Sequence, residues 1–274
     1  MVTVDESINQ LFEQYYPPLK SYLYRMTASE QDAEDIASET FLRVMHKYES
    51  FEGRASIKTW IFTIATNLAR DHFRAQKRWP VNAQDQAKKV ASVQVLKDDL
   101  QNLERSNPEV KYEIKEHIDF CFTCMMKTLP LEQQIILMLK NIYGFKVDEI
   151  KIIVNKSEAS VKNLLHQARK TLTEIFESRC SMVSQKGVCY QCSELNGILN
   201  PKQSAQEELI KLKMVQEARK HPADQDRLLD LRLKLIREID PCQDKSAALH
   251  LSHMKMLRQA IQDDEAMAVK KSTI

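Results

Sequence analysis

At 274 residues the chain has room for one large domain or two to three small ones, and 28% charged against 43% hydrophobic residues is the composition of a folded soluble protein. With only 4 glycines and 7% aromatics, a Gly-rich sandwich or a nucleotide-binding sheet is disfavoured. The net charge of +2 conceals a segregation: residues 28–52 hold seven acids against two bases, 60–90 six Lys/Arg against two acids, and 140–172 seven against three. An acidic surface followed by two separate basic ones suits a protein partner plus a polyanion.

The opening MVTVDESINQ has no basic segment ahead of an apolar run, so no secretory signal is expected. No stretch approaches the ~18 uninterrupted apolar residues of a membrane span, so no membrane insertion is expected and the location should be cytoplasmic. Six cysteines in such a chain point to thiols or metal rather than a disulfide framework.

The segment LFEQYYPPLKSYLYRMT spaces Leu11, Tyr15, Leu19, Tyr22 and Met26 helically, with Pro17-Pro18 expected to start or kink the helix. Ser29 reads as the cap of a second helix that turns Ala33, Ile36, Ala37, Thr40 and Val44 inward and Asp32, Glu34, Asp35 and Glu39 outward. Gly53 interrupts, and Ser56 opens a third helix, apolar in its first half and basic in its second. Residues 80–108 read as a polar linker with a short helix over 90–103. Pro130 then starts LEQQIILMLKNIYG, closed by Gly144. VDEIKIIV, the turn NKS and EASVKNLLHQARKTLTEIF make a helix-turn-helix pattern. Residues 178–201 look irregular or metal-organised, and helices are expected near 207–219, 226–239 and 247–261. The predicted fold class is all-α.

The third helix carries Arg70, Arg74, Lys77 and Arg78 with Trp60, Phe73 and Trp79 nearby, a set that could take phosphates and stack on unpaired bases. Asn67 has the donor and acceptor to read a base edge. The plainer alternative makes Trp60, Ile61, Ile64 and Leu68 core and the cations a solvated face; the second basic site tips the balance. There, Ser157 caps a recognition helix offering Glu158, Ser160, Lys162 and Asn163 to a major groove, with Gln167, Arg169 and Lys170 nearer the backbone. Val161, Leu164, Leu165 and Ala168 are expected to pack inward.

The stretch QDAEDIASETFLRVMHKY strongly resembles the polymerase-binding helix of extracytoplasmic-function sigma factors. FEGRASIKTWIFTIATNLARDHFR is similar to their promoter-melting and −10 segment, and LPLEQQIILMLKNIYGF with SEASVKNLLHQARKTL to their −35 domain. The matches come in the family's order and cover about half of the chain. The resemblance implies a sigma region 2-like bundle over 1–79, a linker over 80–108, a region 4-like helix-turn-helix domain over 109–177 and a cysteine-containing helical extension over 178–274. It implies that Asp35, Glu39, Thr40 and Arg43 contact the core of bacterial RNA polymerase, and that Phe51, Arg54 and Ser56 lie beside a captured −10 base. Trp60, Asn67, Arg70, Asp71 and Arg74 would read or stabilise the adjacent promoter DNA. An anti-sigma factor is a further implied partner. No catalytic residue and no obligatory cofactor follow, since the polymerase performs phosphoryl transfer.

Two departures stand out. Where the family often has a Lys-Ser-Arg-Leu-His-Arg-Ala-Arg-like run, this chain reads KNLLHQAR over 162–169, two phosphate contacts fewer. Lys151 replaces the small residue that usually follows the isoleucine of the preceding helix, and must snorkel or shift the packing.

His117, Cys121 and Cys124 fall at helical offsets of zero, four and seven, one face suited to zinc, with Cys180, Cys189 or Cys192 as fourth ligand. The spacing resembles the His-x3-Cys-x2-Cys signature of zinc-binding anti-sigma factors over these three residues alone. Inert buried cysteines are the competing reading. A Cys121–Cys124 bridge inside a regular helix would be strained, so thiol switching would pair the two Cys-x2-Cys units. The expectation is a promoter-specificity factor and not an enzyme. A conventional helix-turn-helix regulator acting without polymerase is the alternative, but it leaves the acidic second helix unexplained.

Overall fold

The computed structural model describes residues 4–74, 79 and 114–179, and toward the C-terminus 229–230, 233–234, 236–237, 239–242, 251, 254–255 and 258–259. The expected linker over 80–108, the irregular segment after 179 and the helix over 207–219 lie outside them. The fold is all-α. Its helices are α1 (Val4–Thr27), α2 (Glu30–Lys47), α3 (Ile57–Arg74), α4 (Ile114–Met126), α5 (Leu131–Asn141), α6 (Val147–Val154) and α7 (Glu158–Arg179), with a 3-10 turn over Tyr48–Ser50. Among the described residues, no helix is long and apolar enough to cross a membrane.

Two compact units interleave along the chain. The first comprises residues 1–78 and 129–168, the second 79–128 and 169–274. In the first, α1, α2 and α3 pack on one another through stripes at helical spacing. Leu19, Tyr22, Leu23 and Met26 of α1 meet Ala33, Ile36, Ala37, Phe41 and Val44 of α2 and Ile61, Phe62, Ala65, Ala69 and Phe73 of α3, all buried. Small residues at 33, 37, 65 and 69 let the helix axes approach.

Pro17 and Pro18 neither start nor end α1, which runs through both. The carbonyls they leave without amide donors belong to Glu13 and Gln14, which are exposed, so water can satisfy them. At its far end α1 stops on Ala28, whose φ of 55° is left-handed. The Ala28 amide still donates to Tyr24 O at 2.7 Å, and Ser29 then caps α2 by accepting the Asp32 amide at 3.3 Å, as the sequence predicted. Ser56 opens α3 in the same way, accepting the Thr59 amide at 3.1 Å.

The same unit contains α5 and α6, and α3 packs against α6. Four rings make this join. Phe62 lies 5.3 Å from Tyr22, 5.8 Å from Tyr143 and 4.9 Å from Phe145, centroid to centroid, and Tyr143 stands edge-on to Tyr22 at 5.3 Å. Full burial of one Phe is worth about 1.5–3 kcal/mol, while a half-exposed ion pair contributes about 1 kcal/mol or less. The rings therefore supply most of the cohesion here.

In the second unit α4 buries Phe122, Cys124, Met125 and Met126. The expected helix over 226–239 is helical at 229–230, 233–234 and 236–237 but not at 239. Leu229, Leu233 and Ile236 are buried there, and Asp230, Lys234 and Arg237 exposed.

Left-handed backbone costs an L-residue about 1–2 kcal/mol that glycine avoids, against a smaller loss of chain entropy and of one buried methyl. Ala28→Gly should therefore raise stability by about 0.5–1 kcal/mol in denaturant titration. Unchanged or lower stability would mean that packing of the Ala28 methyl outweighs the backbone strain.

Candidate nucleic-acid and partner interfaces

The outward side of α2 is the first candidate surface. Asp35, Glu39 and Arg43 are exposed, and Arg43 Nε donates to Glu39 Oε1 at 2.8 Å across one helical turn. Thr40, which the resemblance placed beside them, is wholly buried, as the helical period required, and its hydroxyl donates to Ile36 O at 2.7 Å. It serves the packing of α2 and offers no surface group. Leu42 and Met45, 51% and 53% exposed, interrupt the charged face, and Phe12 of α1 is 45% exposed beside them. With Ile8 and Phe41 they line an open groove of about 540 Å³. Phe12 is held there against Tyr16 at 4.5 Å and Phe41 at 5.1 Å. Sequence reading passed over this apolar strip, although positions 35, 38, 42 and 45 recur at helical spacing on the side it took to be polar. Apolar side chains ringed by charge are typical of a surface that receives a partner.

The second surface surrounds α3. Phe51, in the loop before it, lies 4.9 Å from the partly exposed Trp60 ring, so the two form one aromatic shelf. Arg54 is exposed and pairs with Glu52 at 2.5 Å. Ser56 is spent on the helix cap. Asn67, Asp71 and Arg74 are exposed, Arg74 pairing with Asp71 at 3.2 Å. Phe73 and Trp79, expected among the exposed aromatics, are both buried and cannot stack on bases from there. Lys77 and Arg78 lie outside the described residues.

Arg70 is the most committed cation on α3. Its guanidinium donates to both carboxylate oxygens of Glu132, at 2.8 and 2.9 Å, to Val154 O at 3.2 Å and to Asn67 Oδ1 at 3.2 Å. Lys58 Nζ donates to Tyr143 O at 3.1 Å and stands 4.4 Å over the Phe145 ring. Burial lowers the Lys58 pKa, and the Glu149 carboxylate opposes that shift. Thr59 Oγ1 donates to Glu149 Oε1 at 3.2 Å. Below them Tyr22 shares a hydrogen bond with Thr66 at 3.1 Å, and complete burial holds its phenol far above the ordinary value.

The third surface is the helix-turn-helix. Glu149 reaches back to the Lys146 amide at 2.8 Å to start α6, and Asn155 ends it in the left-handed region, φ 51°. Two residues on, Ser157 caps α7 by accepting the Ser160 amide at 3.3 Å. Lys151 lies along the helix surface with Nζ 3.1 Å from Asp148, the first of the two arrangements open to it. On α7, Glu158, Lys162, Asn163 and Lys170 are exposed and Ser160 partly so. Lys162 binds Glu158 at 2.6 Å, which draws the carboxyl below its ordinary value and the ammonium above its own. Gln167 accepts from Gln133 at 3.2 Å, and Arg169 donates to Asp230 at 2.8 Å. Val161 and Ala168 are buried as expected, but Leu164 and Leu165 are only partly so. Val161, Ala168, Leu172 and Phe176 make the buried line of the helix.

His117, Cys121 and Cys124 all fall in α4, so the helical spacing read from sequence holds. Cys124 is buried and Cys121 partly buried; Cys180, Cys189 and Cys192 lie outside the described residues. Among the described residues, no group of three His, Cys, Asp or Glu is arranged to hold a metal ion.

Comparison with known proteins gives these surfaces a common context. Residues 11–78 match the Sigma-70 region 2 family and residues 119–172 match Sigma-70, region 4. The chain is 29% identical over 182 residues to the ECF RNA polymerase sigma factor SigX of Bacillus subtilis, covering 64% of this chain and 86% of that one. To the RNA polymerase sigma factor YlaC of the same organism it is 30% identical over 170 residues, covering 61% and 90%. It is 27% identical over 184 residues to the ECF RNA polymerase sigma factor SigG of Mycobacterium tuberculosis, covering 63% of this chain and 49% of that longer one.

An uncapped α7 would lose about 1 kcal/mol. Ser157→Ala should show this loss in thermal unfolding, and Ser157→Asp should recover it, because aspartate caps equally well. Equal stability of all three would mean that Ser157 contributes nothing to the start of α7.

Proposed function

Because the chain belongs to the extracytoplasmic-function (ECF) RNA polymerase sigma factors, we propose that it docks on the polymerase core through α2 and directs it to promoters with α3 and α7. In this reading residues 1–79 bind core and the −10 element, 80–108 link, 109–177 bind the −35 element and 178–274 form a regulatory extension. An anti-sigma factor is a second partner of the same class of surface.

The observation that carries the reading is the exposed side of α2. A helix used only for folding has no reason to keep Leu42 and Met45 half in water between Asp35, Glu39 and Arg43. To the charged residues we therefore add Leu42, Met45 and Phe12 as docking residues, and we remove Thr40. On the DNA side, the Phe51–Trp60 shelf suits stacking with an unpaired −10 base, and Asn67 and Arg74 stand exposed along the same helix. Strand separation costs a few kcal/mol per step, which stacking at about 1–3 kcal/mol per base offsets. At α7, the exposed Lys162, Asn163 and Lys170 follow a capped N-terminus, the geometry with which a recognition helix enters a major groove.

Run-off transcription from a fragmented genomic library, with core polymerase alone and with the chain added, tests the function directly. New discrete start sites are expected, and failure to bind core would sink the reading. Leu42→Asp should weaken core binding by about tenfold or more while leaving the thermal melt unchanged, since the side chain is already half exposed. Full binding by that variant would remove the apolar strip from the interface.

For α4 we propose a zinc ion on His117, Cys121 and Cys124 with a further cysteine. Metal analysis of the reduced chain should find about one equivalent, lost in Cys121→Ser. Absence of zinc would leave both cysteines as packing residues.

A further inference from the structure

Arg169, toward the C-terminal half of α7, is already engaged. It is 21% exposed and donates to Asp230 at 2.8 Å. That contact spans 61 positions of sequence within one compact unit, and it brings the chain around residue 230 against α7. At the helical positions 229–230, 233–234 and 236–237, Leu229, Leu233 and Ile236 are buried, whereas Asp230, Lys234 and Arg237 are exposed. The exposed three recur at offsets of zero, four and seven, which is one side of a helix. The side that meets α7 at Asp230 therefore continues into two cations, and Lys170 of α7 is exposed next to Arg169.

We infer that the C-terminal extension is a second DNA-contacting surface, an assignment that rests on the reading of α7 as the recognition helix. Lys234 and Arg237, with Lys170, bind backbone phosphates of duplex DNA beside the element that α7 reads. The one carboxylate of the row, Asp230, would repel a phosphate, but the Arg169 guanidinium neutralises it. Arg169 is thus a positioning residue that ties the extension to α7. Duplex DNA carries one negative charge per ~1.7 Å of its axis, so a row of cations two helical turns long meets phosphates without a particular register or sequence. The surface also differs in kind from the outer side of α2. Among the described residues of the extension no large apolar side chain is exposed, whereas Leu42 and Met45 stand out on α2. Charge without apolar area suits a polyanion better than a folded protein partner. The extension returns the phosphate grip that α7 lacks at Leu164 and Gln167, and base reading stays with α7.

The test is the salt dependence of binding by the full chain, read as anisotropy of a short labelled duplex of mixed sequence between about 50 and 200 mM salt. Lys234→Ala with Arg237→Ala should flatten the slope of log affinity against log salt by about 1.8, roughly 0.9 for each lost phosphate contact. Lys234→Glu should weaken binding further than Lys234→Ala, and matching thermal melts verify that these exposed replacements leave the fold intact. A second variant, Lys162→Ala with Asn163→Ala, reports on α7 alone and should also weaken binding. An unchanged slope in the extension variant, with the α7 variant weakened, would overturn the extension as a DNA surface and leave the recognition helix standing. An unchanged slope accompanied by lost affinity for core polymerase would overturn it in favour of an acidic protein partner. No effect of either variant would overturn the reading of α7, and the inference with it.

Discussion

Phe62 belongs to two packings at once. On one side it meets Tyr22 and the interior of the α1–α3 bundle; on the other it meets Tyr143 and Phe145, about eighty residues further along the chain. Rings contribute more than the surrounding ion pairs, because apolar area removed from water counts fully while a half-exposed charge pair is offset by desolvation and side-chain entropy. Arg25, Lys58, Thr59 and Arg70 arrange themselves around that ring cluster, and their partners set its register.

The two sides of α2 show how one short helix can fold and recognise together. Its inner side uses small residues, Ala33 and Ala37, and a threonine whose hydroxyl is returned to its own backbone, so nothing polar is left unsatisfied within. Its outer side keeps charge and apolar area adjacent. In the proposed docking, apolar contact supplies affinity, and the charges penalise wrong partners and misregistered binding.

The recognition helix is built more economically. A left-handed Asn155 stops α6 and Ser157 starts α7 two residues later, so the angle between the helices is set by local hydrogen bonds before any ligand is present. Its missing basic residues, read against the family's usual run, leave Lys162 paired with Glu158 and Gln167 with Gln133. In the proposed function, backbone attraction to DNA is weaker on such a surface, and more of the discrimination comes from base edges.

Much of this was legible in the chain itself. Caps at Ser29, Ser56 and Ser157 and the helical periods of α2 and α3 follow from local rules that act within one or two turns, so residue order suffices to decide them. The segregation of acid and base and the order of the family motifs likewise reside in the sequence. What it did not decide were contacts between distant segments. The burial of Phe73 and Trp79, the passage of α1 through Pro17-Pro18 and the exposure of Leu42 depend on which neighbour covers which side of a helix. The pairing of Arg70 with Glu132 and of Arg25 with Tyr143 joins residues 62 and 118 positions apart, where no periodicity reaches. Local propensity fixes a helix and its apolar stripe; only close packing chooses the partner for that stripe, because it is selected by shape and burial across the whole unit.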